Sequence, residues 1–444
     1  MPQAVDPHKG RRHTNRPSSR PPLPPNLLLF RDLPSYKAAL EPELETELTL
    51  PLPDRGETLM AVEPLLPEES SRHRPKLEDL VIELVAASAA LRGAIPDGMH
   101  PALADAVRAM NCYYSNLIEG HHTHPIDIER ALAGDFSAEP EKRDLQLEAR
   151  AHIDVQAWID HGGLHQHPMH PDAIRDIHAR FCAGLPADLL RIETPDGPAL
   201  LTPGALRSSD VRVGRHVALS PGAVPRLLTH MHSAYARPGR LSSVIGIACA
   251  HHRLAWVHPF PDLNGRVTRM VSHALLLDHV GSAGLWSVSR GLARNEQDYK
   301  RRLMAADEPR HGGADGRGAL SEQRLAEFAE YFLGTCLDQV RFMGDLMQPA
   351  RLRERILNWG HNAVQSGTLP PGSELVLREA LYLGTLDRAA LPALLNVGER
   401  QARKVSSALL ATGALASAST RAPLRLNFSP RLAPYWMPGL FPDR

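Results

Sequence analysis

The sequence predicts a mainly α-helical protein with one β-hairpin, followed by a smaller module built on a helix–turn–helix. Three observations carry this. Apolar residues recur at helical spacing in segment after segment from Leu77 to Leu346. Strand-like alternation is confined to 206–219, LRSSDVRVGRHVAL, with Gly214 near its middle. Towards the C-terminus, DRAALPALL, the turn Asn396–Val397–Gly398 and GERQARKVSSALLATG form a helix–turn–helix, and ALASASTRAPLRLNF reads as short strands around a turn, the outline of a winged helix.

The elements follow in order. Residues 1–75 hold 14 of the 39 prolines, and PPLPP at 21–25 favours an extended polyproline conformation, so this stretch reads as a partly disordered arm. Leu77, Leu80, Val81, Leu84 and Val85 open a first helix, which Pro96 and Gly98 break. A second starts near Pro101, carries Leu103, Val107, Met110, Tyr114 and Leu117 on one face, and stops at Gly120. Helical periodicity continues through 127–133, 142–161, 171–184, 222–236, 241–256, 265–280, 295–307 and 321–346, with EPRHGGADGRG at 308–318 as a loop. The resulting partition is an arm over 1–75, a helical domain over 76–348 and a winged-helix-like domain over 349–444.

Composition excludes several classes. Fifty Lys and Arg balance fifty Asp and Glu, which argues against a generally basic nucleic-acid coat and against an acidic tail. The longest apolar runs fall far short of the ~20 residues of a membrane span, and no apolar stretch follows the basic N-terminus as in a secretory signal. Cys112, Cys182, Cys249 and Cys336 are scattered with no CxxC, so a disulfide framework or a structural zinc site is not expected, and a cytoplasmic location is.

The chemistry is concentrated in HPFPDLNGRVTR, His258 to Arg269. Pro259 and Pro261 hold a loop extended and deny it helix. Asn264 and Gly265 suit a helix start, whose free N–H groups bind anions, phosphate above all. Arg266 and Arg269 are three apart and share a face of the first turn. Asp262 is a hard oxygen donor for Mg²⁺ bridging phosphates. His258 carries a side chain able to take a proton near neutral pH, and Phe260 is the apolar anchor. A base, a metal carboxylate, an anion nest and two arginines within twelve residues describe a phosphoryl or nucleotidyl transfer site.

These residues resemble the Fic (Fido) domain family, whose motif is written HxFx[D/E]GNGRxxR. His258, Phe260, Asp262, Asn264, Gly265, Arg266 and Arg269 match; Leu263 departs, standing where the family has Gly or Ala. YYSNLIEG at 113–120 is similar to the family's inhibitory motif through Ser115, Glu119 and Gly120, and RNEQDYKRRLMAAD is similar to its adenine-side helix, with Tyr299 at an aromatic position. The resemblance covers about residues 76–345. It implies a Fic-type helical bundle with the inhibitory helix at 101–120, ATP as substrate with Mg²⁺, and transfer of AMP to a Ser, Thr or Tyr hydroxyl of a protein. His258 is then the base, Asp262 the metal ligand, and Asn264, Gly265, Arg266, Arg269 and Tyr299 the ATP-binding residues. The target would dock along the 206–219 flap, with Glu119 as a brake paired to Arg269.

Other readings stay open. The site with Leu263 in it would be weak, or used only to sense nucleotide, in a DNA-binding transcriptional regulator working through 388–413. Alternatively the site moves another phosphate-containing group or removes AMP. Arg400, Arg403 and Lys404 read equally as a DNA contact or an ordinary solvated face. A homodimer is a further partner expectation. His251, His252 and His258 lack partners at zinc-ligand spacing, and His121, His122 and His124 read as a polar loop after a helix end.

Overall fold

The structure, a computed structural model, describes residues 52–442 except 195–196 and 214–215. The expected arm therefore lies outside the described residues up to position 51. The chain divides into a unit of residues 50–417 and 421–444 and a second of 1–49 with 418–420, and the fold below is that of the first.

Helices dominate, and proline marks where many begin. Its fixed φ and missing N–H cost nothing in a first turn, where the N–H has no helical partner. Pro sits in the first turn of α1 (Arg74–Ala94), α2 (His100–Ile118), α3 (Pro125–Leu132), α4 (Pro140–Asp160) and α5 (Pro171–Ala183). Two antiparallel hairpins follow, β1 (Arg191–Thr194) with β2 (Gly197–Leu200) and β3 (Arg212–Val213) with β4 (His216–Val217). The chain then forms α6 (Val224–Tyr235), α7 (Arg240–Val257), α8 (Asn264–Val280), α9 (Val288–Arg294), α10 (Glu296–Ala305) and α11 (Glu322–Leu346).

The helix α8 is the centre of the bundle. It packs against α7, α5, α4, α2 and α1, and every residue from Arg266 to Leu276 is buried. A helix buried on all sides has no solvent face for its polar side chains, so Arg266, Arg269, Ser272 and His273 need partners inside the protein. The chain before α1 joins the same core. Val62 and Leu65 are buried, Tyr235 donates to the Leu65 carbonyl (2.8 Å), and Arg253 Nε to that of Pro64 (3.1 Å).

Two elements depart from the sequence expectation. Strand pairing is not confined to 206–219: Ile192 pairs with Ala199 and Glu193 with Pro198 in the β1–β2 hairpin. In the sequence, prolines at 195 and 198 interrupt the alternation of this segment and hide it. The seven-residue helix α9 was not expected either, because it spans too few turns to show a 3.6-residue period.

The C-terminal part holds α12 (Pro349–Gln365), α13 (Ser373–Leu383), β5 (Thr385–Leu386), α14 (Leu391–Leu395), α15 (Glu399–Ala411), β6 (Leu415–Ala416), β7 (Leu424–Leu426) and α16 (Ala433–Trp436). The strands form an antiparallel sheet ordered β5–β7–β6. Asn396, at φ 51°, turns α14 into α15 and Gly413, at φ 74°, ends α15. The chain end then returns to the bundle: Arg290 Nη2 donates to the Gly439 carbonyl (2.7 Å), and Phe441 meets Tyr113 of α2 edge to face. Among the described residues no helix is long and apolar enough to cross a membrane.

Trp436 anchors this return. Fully buried, it packs edge to face on Trp359 and Phe428, and its carbonyl accepts from Arg355 Nε (2.8 Å). Trp436→Ala is expected to lower the unfolding free energy by about 3–5 kcal/mol, read from urea titration; a change below about 1 kcal/mol contradicts this anchoring role.

Candidate active site

The loop between α7 and α8 is bracketed by two residues in left-handed conformation, His258 (φ 51°) and Leu263 (φ 65°). For a residue with a Cβ this costs roughly 1–2 kcal/mol, so the surroundings must hold it. Asn264 does much of the holding: its Oδ1 accepts from the Phe260 N–H (2.9 Å) and its Nδ2 donates to the Phe260 carbonyl (2.8 Å), closing the loop on itself. The Phe260 ring is fully buried and stacks on His178 at 4.0 Å. Leu263 thus stands at a positive-φ position, which explains why Gly is the unstrained residue here. Its own side chain is buried and supplies apolar packing in compensation.

Asp262 is exposed at the outer side of this loop. Its Oδ1 accepts from the Leu263 N–H (2.6 Å), and among the described residues its other oxygen takes no hydrogen bond. One exposed carboxylate beside an anion-binding helix start fits Mg²⁺, which keeps most of its water and uses substrate phosphates as further ligands. Among the described residues no group of three or more His, Cys, Asp or Glu side chains is arranged to hold a metal by itself.

The start of α8 already carries an anion, the carboxylate of Glu119. Arg269 Nη2 donates to Glu119 Oε1 at 2.5 Å and to the Ser115 carbonyl at 3.1 Å, while its Nε donates to Ser115 Oγ at 2.8 Å. A Cβ placed on Gly265 would collide with Glu119 Oε1, so only a glycine lets this carboxylate lie so close to the helix start. Burial by itself pushes the Glu119 carboxyl upward; the charge and hydrogen bond of Arg269, helped by Arg266 and Lys300, outweigh it and hold the group below its usual range. Ser115 and Glu119 share a helical face, and Gly120, at φ 84°, turns the chain away just beyond.

Arg266 points elsewhere. Its Nη2 donates to Glu148 Oε2 (3.0 Å), and its guanidinium lies over the Phe181 ring. The same carboxylate oxygen is 2.6 Å from His121 Nδ1, so the residue just after Gly120 is tied to Arg266 of α8 through α4. Tyr299 is buried behind Arg269, with its hydroxyl 2.9 Å from His251 Nε2, and burial pushes its phenol up to about 12. The structure therefore brings His258, Asn264, Gly265, Arg269, Ser115 and Glu119 to one place. Asp262 sits at its rim, Arg266 is engaged by Glu148, and Tyr299 is set back in the core.

His258 is half-buried. Burial is the main reason its imidazole is pushed down to about 4, reinforced by the charges of His216 and Arg207 and opposed by the Ala255 carbonyl and by Glu119. The neutral ring prevails at pH 7, the form a proton acceptor needs. Sequence reasoning missed Arg207 and Glu148, and read His121 only as part of a polar loop. Among the described residues Arg207 bonds to backbone carbonyls and Glu148 acts across two helices, so no spacing in the chain announces either.

Residues 168–276 match the Fic/DOC family. A protein adenylyltransferase Fic from Nematostella vectensis is 28% identical over 169 residues, 37% of this chain and 36% of that protein. One from Aedes aegypti is 37% identical over 76 residues, 17% of this chain and 15% of that protein. The chain thus covers well under half the length of these curated relatives. Among solved structures, a Fic family protein from Desulfovibrio desulfuricans G20 aligns with a TM-score of 0.48 at 17% identity, over 82% of this chain and 98% of that one. Fic-1 from C. elegans aligns at 0.44 and 17%, over 62% and 73%.

Buried neutral histidines make acid a specific threat to this site. Burial holds His178 and His258 down to about 4 and His251 to about 3, whereas all three protonate near 6.5 once unfolded. Folded-state pKa values depressed in this way contribute stability that is complete above about pH 6.5 and is lost as pH falls towards 4. Urea midpoints are expected to be level between pH 7 and 8 and to drop steadily from pH 6.5 to 4.5; a flat profile over the lower range contradicts the assignment.

Proposed function

We propose that this chain is a Fic-type nucleotidyltransferase that moves AMP from ATP to a hydroxyl side chain of a protein, and that Glu119 holds it in a braked state. The observation that carries the reading is the Glu119 carboxylate on Arg269, lying against Gly265 at the start of α8. A helix start with an arginine beside it attracts phosphate. An internal carboxylate that occupies both is a competitor for a terminal phosphate group.

In this reading the target segment lies along the β3–β4 hairpin and presents its hydroxyl to His258. Nδ1 of His258 faces the Ala255 carbonyl at 3.4 Å, an arrangement that keeps a proton on Nδ1 and leaves Nε2 to accept one. The hydroxyl gives its proton to Nε2, its oxygen bonds to the α-phosphorus, and the bond to the leaving pyrophosphate breaks. The N–H groups at Asn264 and Gly265 receive phosphate oxygens, and Arg269, released from Glu119, neutralises the terminal phosphate. Arg266 adds positive charge from behind while held by Glu148. Mg²⁺, when bound at Asp262, supplies further neutralisation of phosphate charge. The same site, with Glu119 orienting a water, would serve removal of AMP, and intact mass after incubation with ATP and Mg²⁺ separates the two.

A second reading concerns the C-terminal module. The α14–α15 pair with the β5–β7–β6 sheet supports a winged-helix interpretation. Arg400, Arg403 and Lys404 are exposed on α15 with no ion pair recorded among the described residues. Neutralising three phosphates of duplex DNA gives a slope of log K on log salt of roughly −3. Replacing all three by Ala is expected to abolish both affinity and slope in a fluorescence titration; affinity unchanged by the replacement rejects this interface.

The brake is tested by labelling with α-³²P-ATP. If the closed state is favoured by ~3 kcal/mol, Glu119→Gly raises labelling of self and of lysate proteins by ~10²-fold. Arg269→Ala frees the same space but loses the phosphate partner, so labelling stays low. His258→Ala in the Glu119→Gly background is expected to lower labelling ~10²–10⁴-fold. Labelling that is independent of His258 defeats the enzyme reading. Labelling that requires His258 but ignores Glu119→Gly defeats the brake alone.

A further inference from the structure

Arg207 is a fully buried cation that, among the described residues, has no carboxylate within hydrogen-bond distance. It stands at the start of the segment that leads into β3, and its hydrogen-bond partners among the described residues are backbone carbonyls. Nε donates to the carbonyl of His258 (2.7 Å), Nη1 to that of Ser209 (3.1 Å), and Nη2 to those of Leu219 and Val257. Its own N–H donates to the Pro259 carbonyl (3.0 Å). One side chain and its amide thus join both limbs of the flap, at Ser209 and Leu219, to three successive residues at the end of α7.

The three carbonyls at 257–259 have a specific need. The last carbonyls of a helix lack intrahelical partners and carry the negative end of its dipole, so a cation there is favourable. The chain leaves α7 through His258 in left-handed conformation, a strained state that persists only if its neighbours enforce it. Burial pushes the Arg207 guanidinium down to about 10, which still leaves it charged at neutral pH. A planar fork with several donors can hold diverging carbonyls at once, as an ammonium cannot. A second tie runs in parallel, since His216 of β4 lies over the Trp256 ring, its Nε2 2.8 Å from the Trp256 carbonyl.

We infer that Arg207 is a positioning residue: it sets the left-handed turn that aims the His258 imidazole and locks that turn to the flap, so that the surface receiving the target and the group accepting its proton move as one piece. This rests on the reading of His258 as the base. Arg207 touches no reacting atom, and its contribution is to geometry, where a misplacement of about 1 Å costs on the order of 10²-fold in rate.

The test uses the full chain with Glu119→Gly as parent and adds Arg207→Met or Arg207→Lys. In Arg207→Met, kcat for labelling is expected to fall on the order of 10²-fold with KM for ATP unchanged, because the anion site on α8 is not involved. Hydrogen–deuterium exchange is expected to rise together in 206–219 and 257–263, with α8 unchanged. Arg207→Lys, which keeps the charge but not the fork, is expected to fall between the two on both measurements. It carries the same two readouts if Arg207→Met fails to fold. Faster exchange in the flap with 257–263 unchanged, or unchanged kcat, overturns the inference. A parent that does not label at all defeats the proposed function, and the exchange measurement then still decides whether Arg207 couples the two segments.

Discussion

Most of the site follows from the burial of α8. A helix enclosed on every side must find most partners for its polar groups inside the protein, because an unpaired buried donor or charge costs several kcal/mol. Of the α8 arginines only the Arg266 Nε is left without one among the described residues. The polar side chains of α8 reach out in three directions. Arg269 goes to α2, Arg266 and His273 go to α4 through Glu148 and Asp160, and Ser272 goes to His251 on α7. Each of these contacts locates a neighbouring helix relative to the start of α8. The start of α8, where the Glu119 carboxylate sits, is thereby also the place where the bundle is tied together.

This constraint makes the Glu119 contact more than a surface ion pair. With Arg269 buried and Ser115 taking two of its hydrogen bonds, the guanidinium is held in one orientation whether or not Glu119 is present. In the proposed function, a phosphate at the helix start would meet this preorganised cation once Glu119 had moved aside. The Arg266–Glu148–His121 contacts sit on the other side of Gly120, so the end of α2 is fastened both before and after its turn. The C-terminal return of the chain adds a third fastening at Tyr113. The helix bearing the carboxylate is thus held by α8, by α4 and by the chain end together.

On the opposite side of the loop the logic differs. The flap has little sheet structure of its own, two residues pairing with two, and owes its place to Arg207, His216 and the strap at 54–57. Arg55 donates to Asp210 and to the Ala218 carbonyl, and Glu57 accepts from the Ser220 N–H. A short hairpin is marginal alone. Here it is an outgrowth of the hydrogen bonds of the loop between α7 and α8, and that ties the flap to the backbone at His258.

By itself the sequence determined the helical class, the limits of most helices and the central loop. Those properties are local: a 3.6-residue period, prolines at helix starts, and glycines where φ is positive. The resemblance of HPFPDLNGRVTR and YYSNLIEG singled out His258, Asp262, Asn264, Gly265, Arg269, Ser115 and Glu119 for the same reason, since each group is contiguous in the chain. Only the tertiary structure decided what distant residues do to one another. It paired Arg266 with Glu148 and set Tyr299 behind Arg269. It hung the flap on Arg207, and it revealed a second hairpin where Pro195 and Pro198 obscured the alternation. Buried charges and backbone carbonyls find partners through space, and nothing in the order of residues records which helix will supply them.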